Sequence, residues 1–180
     1  MAILKVAQLG HPILRMIARP VPKKEITTEK IQTLITDMIE TVREYDGVGL
    51  AAPQVHESLQ IAVMEIIENP RYPNEETVPL TVFINPIVNA LTQETMEVWE
   101  GCLSVHGLRG AVSRPNHIRL QALDQNGRTI DQEYKGFPAV AIQHELDHLQ
   151  GKVFLDRMTD LSKLAFINEY RRYHLKDISI

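Results

Sequence analysis

Between residues 27 and 47, apolar Ile31, Leu34, Ile35, Met38, Ile39, Val42 and Tyr45 recur every three or four positions among polar ones. That spacing lays a single apolar stripe along a helix. Thr27 or Thr28 supplies a cap at its start and Asp46-Gly47 a stop. A glycine-bearing loop follows (GVGLAAPQ, 47–54), and QIAVMEI (60–66) then reads as a strand. Segment 68–79 (ENPRYPNEETVP) sets three prolines among polar residues and predicts a surface loop or insertion. TVFINPIV and ETMEVWE read as strands, with Pro86 arguing for an edge or a bulge in the first. HIRLQALD and DQNGRTIDQEY alternate on either side of Asn126-Gly127 and predict a hairpin. A helix runs from Pro138 to Gln150 with Gly151 as its stop, and a last amphipathic helix from about Asp160 to Tyr173.

Helix, strands, helix, helix in that order predicts an α+β domain. A mostly antiparallel sheet packs around the Pro138–Gln150 helix, with an N-terminal and a C-terminal helix outside it. The 180 residues suffice for one domain spanning 1–180 with a sizeable core. A net charge of -4 gives no electrostatic case for nucleic-acid binding. The first twenty residues are broken by Lys5, Gly10, His11 and Arg15, and no run is long enough to span a membrane. Neither nucleic acid nor membrane is therefore expected as a direct partner. One cysteine excludes an intrachain disulfide, fits a reducing compartment and predicts a cytoplasmic location. It also makes Cys102 a candidate for chemistry.

The chemistry concentrates in QHELDHLQG, residues 143–151. His144 and His148 lie four apart on one helix face and can reach one metal ion, with Glu145 between them as a general base. A hydrolytic metal site usually takes three protein ligands and leaves one place for water. A third histidine after Gly151 is excluded, because Phe154 stands where it would be. Glu169, on the last helix, stands at about the right distance for a downstream carboxylate ligand. Cys102 would complete an open Cys-His-His set, although a lone cysteine is more often a small buried hydrophobe. Spacing leaves Glu169 and Cys102 both open.

The neighbourhoods separate them. GVGLAAPQ, EGCLS and QHELDHLQG occur in this order, and LGHPILRMIARPV precedes them. The trio resembles the peptide deformylase family, whose motifs are G-φ-G-φ-A-A-x-Q, E-G-C-φ-S and H-E-x-x-H, φ being apolar. The resemblance covers nearly the whole chain. One departure is His106, where many relatives have proline; it is expected at the rim rather than as a ligand.

The resemblance implies hydrolysis of the formyl group on the N-terminal methionine of new polypeptides, with release of formate. It makes Cys102, His144 and His148 the ligands of one divalent ion, Fe(II) natively, with Zn(II), Ni(II) or Co(II) as substitutes. It implies that Gln54 and the Leu103 backbone N–H stabilise the oxyanion. Glu145 is expected to act as base and then acid. Val140 and Ala141, one turn before His144, are expected to wall the methionine pocket with Val48 and, less directly, Val98 and Phe137. Gly49, Gly101 and Arg109 complete the expected substrate contacts. Gly47 and Gly49 would admit close backbone approach or positive φ. Arg109 and Arg114 hold either substrate backbone or Glu100, or are surface charges. N-formylmethionyl nascent peptides are the expected partner, met near the ribosomal exit tunnel.

Overall fold

The computed structural model describes residues 2–67 and 77–175. The first helix, α1 (Glu29–Glu44), buries Ile31, Ile35, Met38 and Val42 on the predicted stripe. Thr28 occupies the cap position, but its hydroxyl turns back to the Glu25 carbonyl at 2.6 Å. At the other end Gly47 N–H reaches the Val42 carbonyl at 2.8 Å and closes the helix.

Five strands form one sheet in the order β1 (Gly49–Ala51), β2 (Ile61–Ile66), β3 (Val78–Ala90), β6 (His117–Leu123), β7 (Thr129–Lys135). A smaller sheet joins β4 (Thr95–Cys102), β5 (Val105–Pro115) and β8 (Leu164–Phe166). Every neighbouring pair in both sheets is antiparallel. The α+β architecture is as expected. The loop expected over 68–79 lies outside the described residues as far as 76, and β3 takes up its end.

The run IAVMEI needs apolar residues on both faces because both are covered. Ile61 and Val63 face α1 in one core cluster, and Ala62, Met64 and Ile66 face α2 (Gly136–Leu149) in another. Its one charge, Glu65, takes two bonds from Arg43 at the end of α1, at 2.7 and 2.9 Å. Pro86 makes a bulge rather than an edge: the β3–β6 register shifts between Ile84 and Ile87. Asn85 there takes a φ of +51° and its amide clasps the Val21 backbone through two 2.8 Å bonds. The Asn126-Gly127 hairpin forms as expected, with Gly127 at φ +74°.

The helix α2 touches strands of both sheets and is buried almost all round. Gly151 ends it at φ +68°, where a Cβ would also meet the Arg15 backbone at 2.7 Å. Two expectations are corrected. GVGLAAPQ is not a loop throughout: Gly49–Ala51 is the edge strand β1, followed by a 3-10 turn at Ala52–Val55. The helix expected from Asp160 to Tyr173 is only α3 (Ile167–Tyr173). Before it, Leu164–Phe166 pairs with Leu108–Gly110 of β5, and Gly110 there admits the Met158 and Phe154 side chains where any Cβ would collide. Among the described residues no helix is long and apolar enough to cross a membrane.

Candidate active site

The site lies where α2, the β1 edge and the β4–β5 hairpin meet. Donor atoms of Cys102, His144 and His148 all lie within 4.8 Å of one another. Cys102 Sγ stands 3.3 Å from His148 Nε2 and accepts the Ser104 N–H at 3.4 Å. Burial pushes the Cys102 thiol up, but His148 and His144 outweigh it and hold it well below its usual value, so the sulfur favours the thiolate form that binds metals. Burial opposes charge on His144 as well, and its contacts with Cys102 and Glu100 overcome that and raise it well above the usual value.

His144 Nδ1 is 2.7 Å from Glu100 Oε2, which turns the other ring nitrogen, Nε2, toward Cys102 as the ligating atom once its proton is lost. Glu100 is gripped in turn by Arg114 at 2.5 and 3.0 Å, and Arg114 reaches Asp147 at 2.8 Å. Arg157 closes the chain on Asp147 at 2.5 Å from nearer the surface. Three soft or borderline donors, one with its tautomer fixed by a carboxylate, and a cleft on the open side fit a divalent ion. Glu169 is exposed on α3 and takes no part in this cluster, nor does His106, which lies exposed at the cleft margin.

Glu145 is 5 % exposed, and its Oε2 has no hydrogen-bond partner among the described residues. Burial pushes its carboxyl up against the opposing pull of His144 and His148. Its seat depends on Gly49, where a Cβ would stand 2.6 Å from Glu145 Oε1. Of the two reasons expected for the glycines, positive φ is excluded, since neither Gly47 nor Gly49 has it, and side chains crowd both positions. At Gly47 the crowding atom is Val42 Cγ2, at 2.8 Å.

Gln54, on the turn after β1, has its amide orientation fixed. Oε1 accepts the Ala51 N–H at 2.8 Å, so Nε2 faces Cys102 Sγ at 3.4 Å and Ser104 Oγ at 3.3 Å. Leu103 stands in the hairpin between Cys102 and Ser104, and its carbonyl accepts from Gln8 at 3.2 Å.

A cleft of about 250 Å³ opens over these groups. Val48, Gly49, Gly101, Arg109, Val140 and Ala141 all line it, as do Val98 and Phe137. The Arg109 guanidinium lies over Gly101, where any Cβ would overlap it. Arg114 does not line this cleft; of its expected roles, the structure has it holding Glu100. Four residues escaped the sequence reading. Asp147 passes for a solvated charge but is buried between two arginines. Ser104 is fully buried against Gln54, and only its place in EGCLS hinted at this. Trp99 and Ile167 stand on the cleft wall with no local signal for it.

An α+β scaffold carrying H-E-x-x-H on a buried helix, with a thiolate from a neighbouring hairpin, defines a metallohydrolase class. The profile of the polypeptide deformylase family matches residues 3–164. The chain is 46% identical over 172 residues to a peptide deformylase of Psychrobacter arcticus, covering 96% of this chain and 88% of that one. It is 42% identical over 166 residues to peptide deformylase 2 of Pseudomonas syringae pv. tomato, covering 92% and 93%. A Met-Ala-Ser-bound class I type b peptide deformylase from Acinetobacter baumannii superposes with a TM-score of 0.84 at 37% identity, covering 87% of this chain and 99% of that one. The chain belongs to the polypeptide deformylase family: it is a metal-dependent hydrolase that removes the formyl group from new polypeptides.

Proposed function

We propose that Cys102, His144 and His148 hold one divalent ion and that Glu145, Gln54 and the Leu103 N–H carry out deformylation around it. The observation that carries this reading is the triad of donors within 4.8 Å beside an unpartnered carboxylate oxygen of Glu145. When bound, a divalent ion in such a donor set lowers the pKa of a water and polarises the formyl oxygen.

Glu145 takes the proton of the attacking water at its carboxylate and later gives it to the leaving amine. Its raised pKa suits both halves of that exchange. Gln54 Nε2 and the Leu103 N–H donate to the oxygen that gains charge; one such donor contributes about 3 kcal/mol to the barrier reduction. The Ala51 N–H holds the Gln54 amide in the donating orientation without further reorganisation. Val48, Val140 and Ala141 receive the methionine side chain. Gly49 and Gly101 let the peptide backbone approach, and Arg109 meets its carbonyl groups. β1, at the edge of its sheet, offers an extended peptide a strand to lie against.

The whole chain, 1–180, acts as one catalytic domain, since both sheets contribute to one cleft. Family likeness favours Fe(II) as the native ion, and the Cys-His-His donors also accept Zn(II), Ni(II) or Co(II) as substitutes. The substrate is the N-formylmethionyl nascent peptide, met in the cytoplasm near the ribosomal exit tunnel. Protein purified without oxygen and loaded with Fe(II) is expected to release formate from formyl-Met-Ala-Ser, and Cys102→Ala to lose both metal and release. A folded, metal-loaded wild type that releases no formate would sink the reading. Retention of metal by Cys102→Ala and its loss in Glu169→Ala would move the third ligand to Glu169.

A further inference from the structure

The helix α3 begins at Ile167, beyond residue 164 where the match to the family profile ends. It nevertheless reaches the cleft that holds the Cys-His-His cluster, because Ile167 and Trp99 both line that cleft. Trp99 belongs to β4, yet α3 holds its indole. The ring centroid lies 5.1 Å from that of Tyr170 and 4.6 Å from that of His174 at the helix end. The segment leading into α3 is tied down twice more. Lys163 Nζ binds both oxygens of Glu97 at 2.9 and 2.8 Å, and Leu164–Phe166 pairs with β5. These ties set Ile167 at the cleft beside the small sheet, while Val140 and Ala141 approach from α2.

Neither Trp99 nor Ile167 has a part in the chemistry, and both remain partly exposed. An apolar pair on a substrate cleft gains when a ligand covers it. The formylmethionine is common to every substrate of this reaction, so discrimination between substrates rests on the residues after it. We propose that Trp99 and Ile167 form a second apolar contact, taking an apolar side chain downstream of the formylmethionine, and that Tyr170 and His174 are positioning residues for Trp99. The proposal rests on the deformylase reading of the cleft.

Formate release is measured for formyl-Met-Ala-Ser, formyl-Met-Leu-Ser and formyl-Met-Ala-Leu with the metal-loaded protein. The wild type is expected to favour at least one leucine peptide by about fivefold in kcat/KM, chiefly through KM, as covering part of a leucine side chain implies. Trp99→Ala and Ile167→Ala are each expected to bring that ratio to within about twofold of one. Tyr170→Ala lowers it and Tyr170→Phe restores it, whereas Arg172→Ala, on the exposed face of α3, keeps the wild-type ratio. Trp99 is the single tryptophan of the chain, so its fluorescence gives a readout free of turnover. Unformylated Met-Leu-Ser or Met-Ala-Leu should shift the emission more than Met-Ala-Ser does. A wild-type ratio near one, or a ratio untouched in both alanine variants, overturns the proposal. Formate release from none of the peptides overturns the deformylase reading instead.

Discussion

The two faces of the five-stranded sheet are closed in opposite ways. Against one face α1 lays a single stripe of Ile31, Ile35, Met38 and Val42, with its remaining residues exposed or half-buried apart from Thr41. Against the other, α2 is buried nearly all round and takes His144, Glu145, Asp147 and His148 inside with it. A buried polar group is costly unless bonded. On α2 His144 and Asp147 are bonded through the Glu100–Arg114–Asp147–Arg157 chain, and His148 Nε2 meets Cys102. Two buried side-chain atoms, Glu145 Oε2 and His148 Nδ1, lack a partner among the described residues, and both belong to the H-E-x-x-H turn. The first face spends its sequence on fit, the second on chemistry, and substitutions should separate them.

The largest effect is expected at Glu145. Glu145→Gln keeps the shape and removes the proton carrier, so formate release should fall by about a thousandfold, equivalent to about 4 kcal/mol of barrier. Metal content should remain that of the wild type. Loss of metal along with activity would place Glu145 among the ligands and blur the distinction between acid–base and ligating groups on α2. Next is Met38→Ala on the opposite face, where Met38 is fully buried. Truncating such a side chain costs about 3 kcal/mol of stability. Urea unfolding should show that loss while kcat of the folded protein stays at the wild-type level. A lowered kcat would mean that the two faces are coupled through the sheet.

Gly49→Ala probes the seam between the faces, since β1 packs against both helices. The new methyl would stand 2.6 Å from Glu145 Oε1 and 2.7 Å from its Cγ, so the carboxylate must shift. Displacing a reacting group by a fraction of an ångström to one ångström costs tens of fold, or about 2 kcal/mol. kcat should fall by that much with metal retained. Unchanged kcat would show that Glu145 can work from a second position.

These contrasts also mark what the sequence could say. α1 and the β6–β7 hairpin carry their own periodicity and turn chemistry, and both form where expected. H-E-x-x-H with EGCLS named the three clustered donors, because those motifs are local in sequence even though Cys102 and His144 are far apart. The strand β5 did not declare itself: the sequence predicted no element between ETMEVWE and HIRLQALD, and Val105–Pro115 becomes strand by pairing with β4 and β8. The same nonlocal pairing broke the expected helix at 160–173, since Leu164–Phe166 has helical spacing locally but finds β5 in space. The buried Asp147 was hidden for a similar reason, as its partners Arg114 and Arg157 come from elsewhere in the chain.

The smallest effect sharpens the comparison from outside both faces. Asp124, in the β6–β7 turn, accepts the Asn126 and Arg128 backbone N–H groups at 2.8 Å each. Slight burial pushes its carboxyl up, but those bonds outweigh it and hold the folded pKa below the usual value. A carboxylate with a depressed folded pKa stabilises the fold above its unfolded pKa, about 3.9, and loses that contribution as pH falls through the lower folded value. Asp124→Asn keeps an acceptor and removes the charge. The wild type should therefore exceed the variant by at most about 1 kcal/mol at neutral pH, after allowance for solvent screening. The difference should shrink toward zero below about pH 4. Thermal or urea unfolding of both proteins at several pH values checks this. A difference that persists at the lowest pH would mean that the amide fits the turn badly, and that the charge itself contributes little.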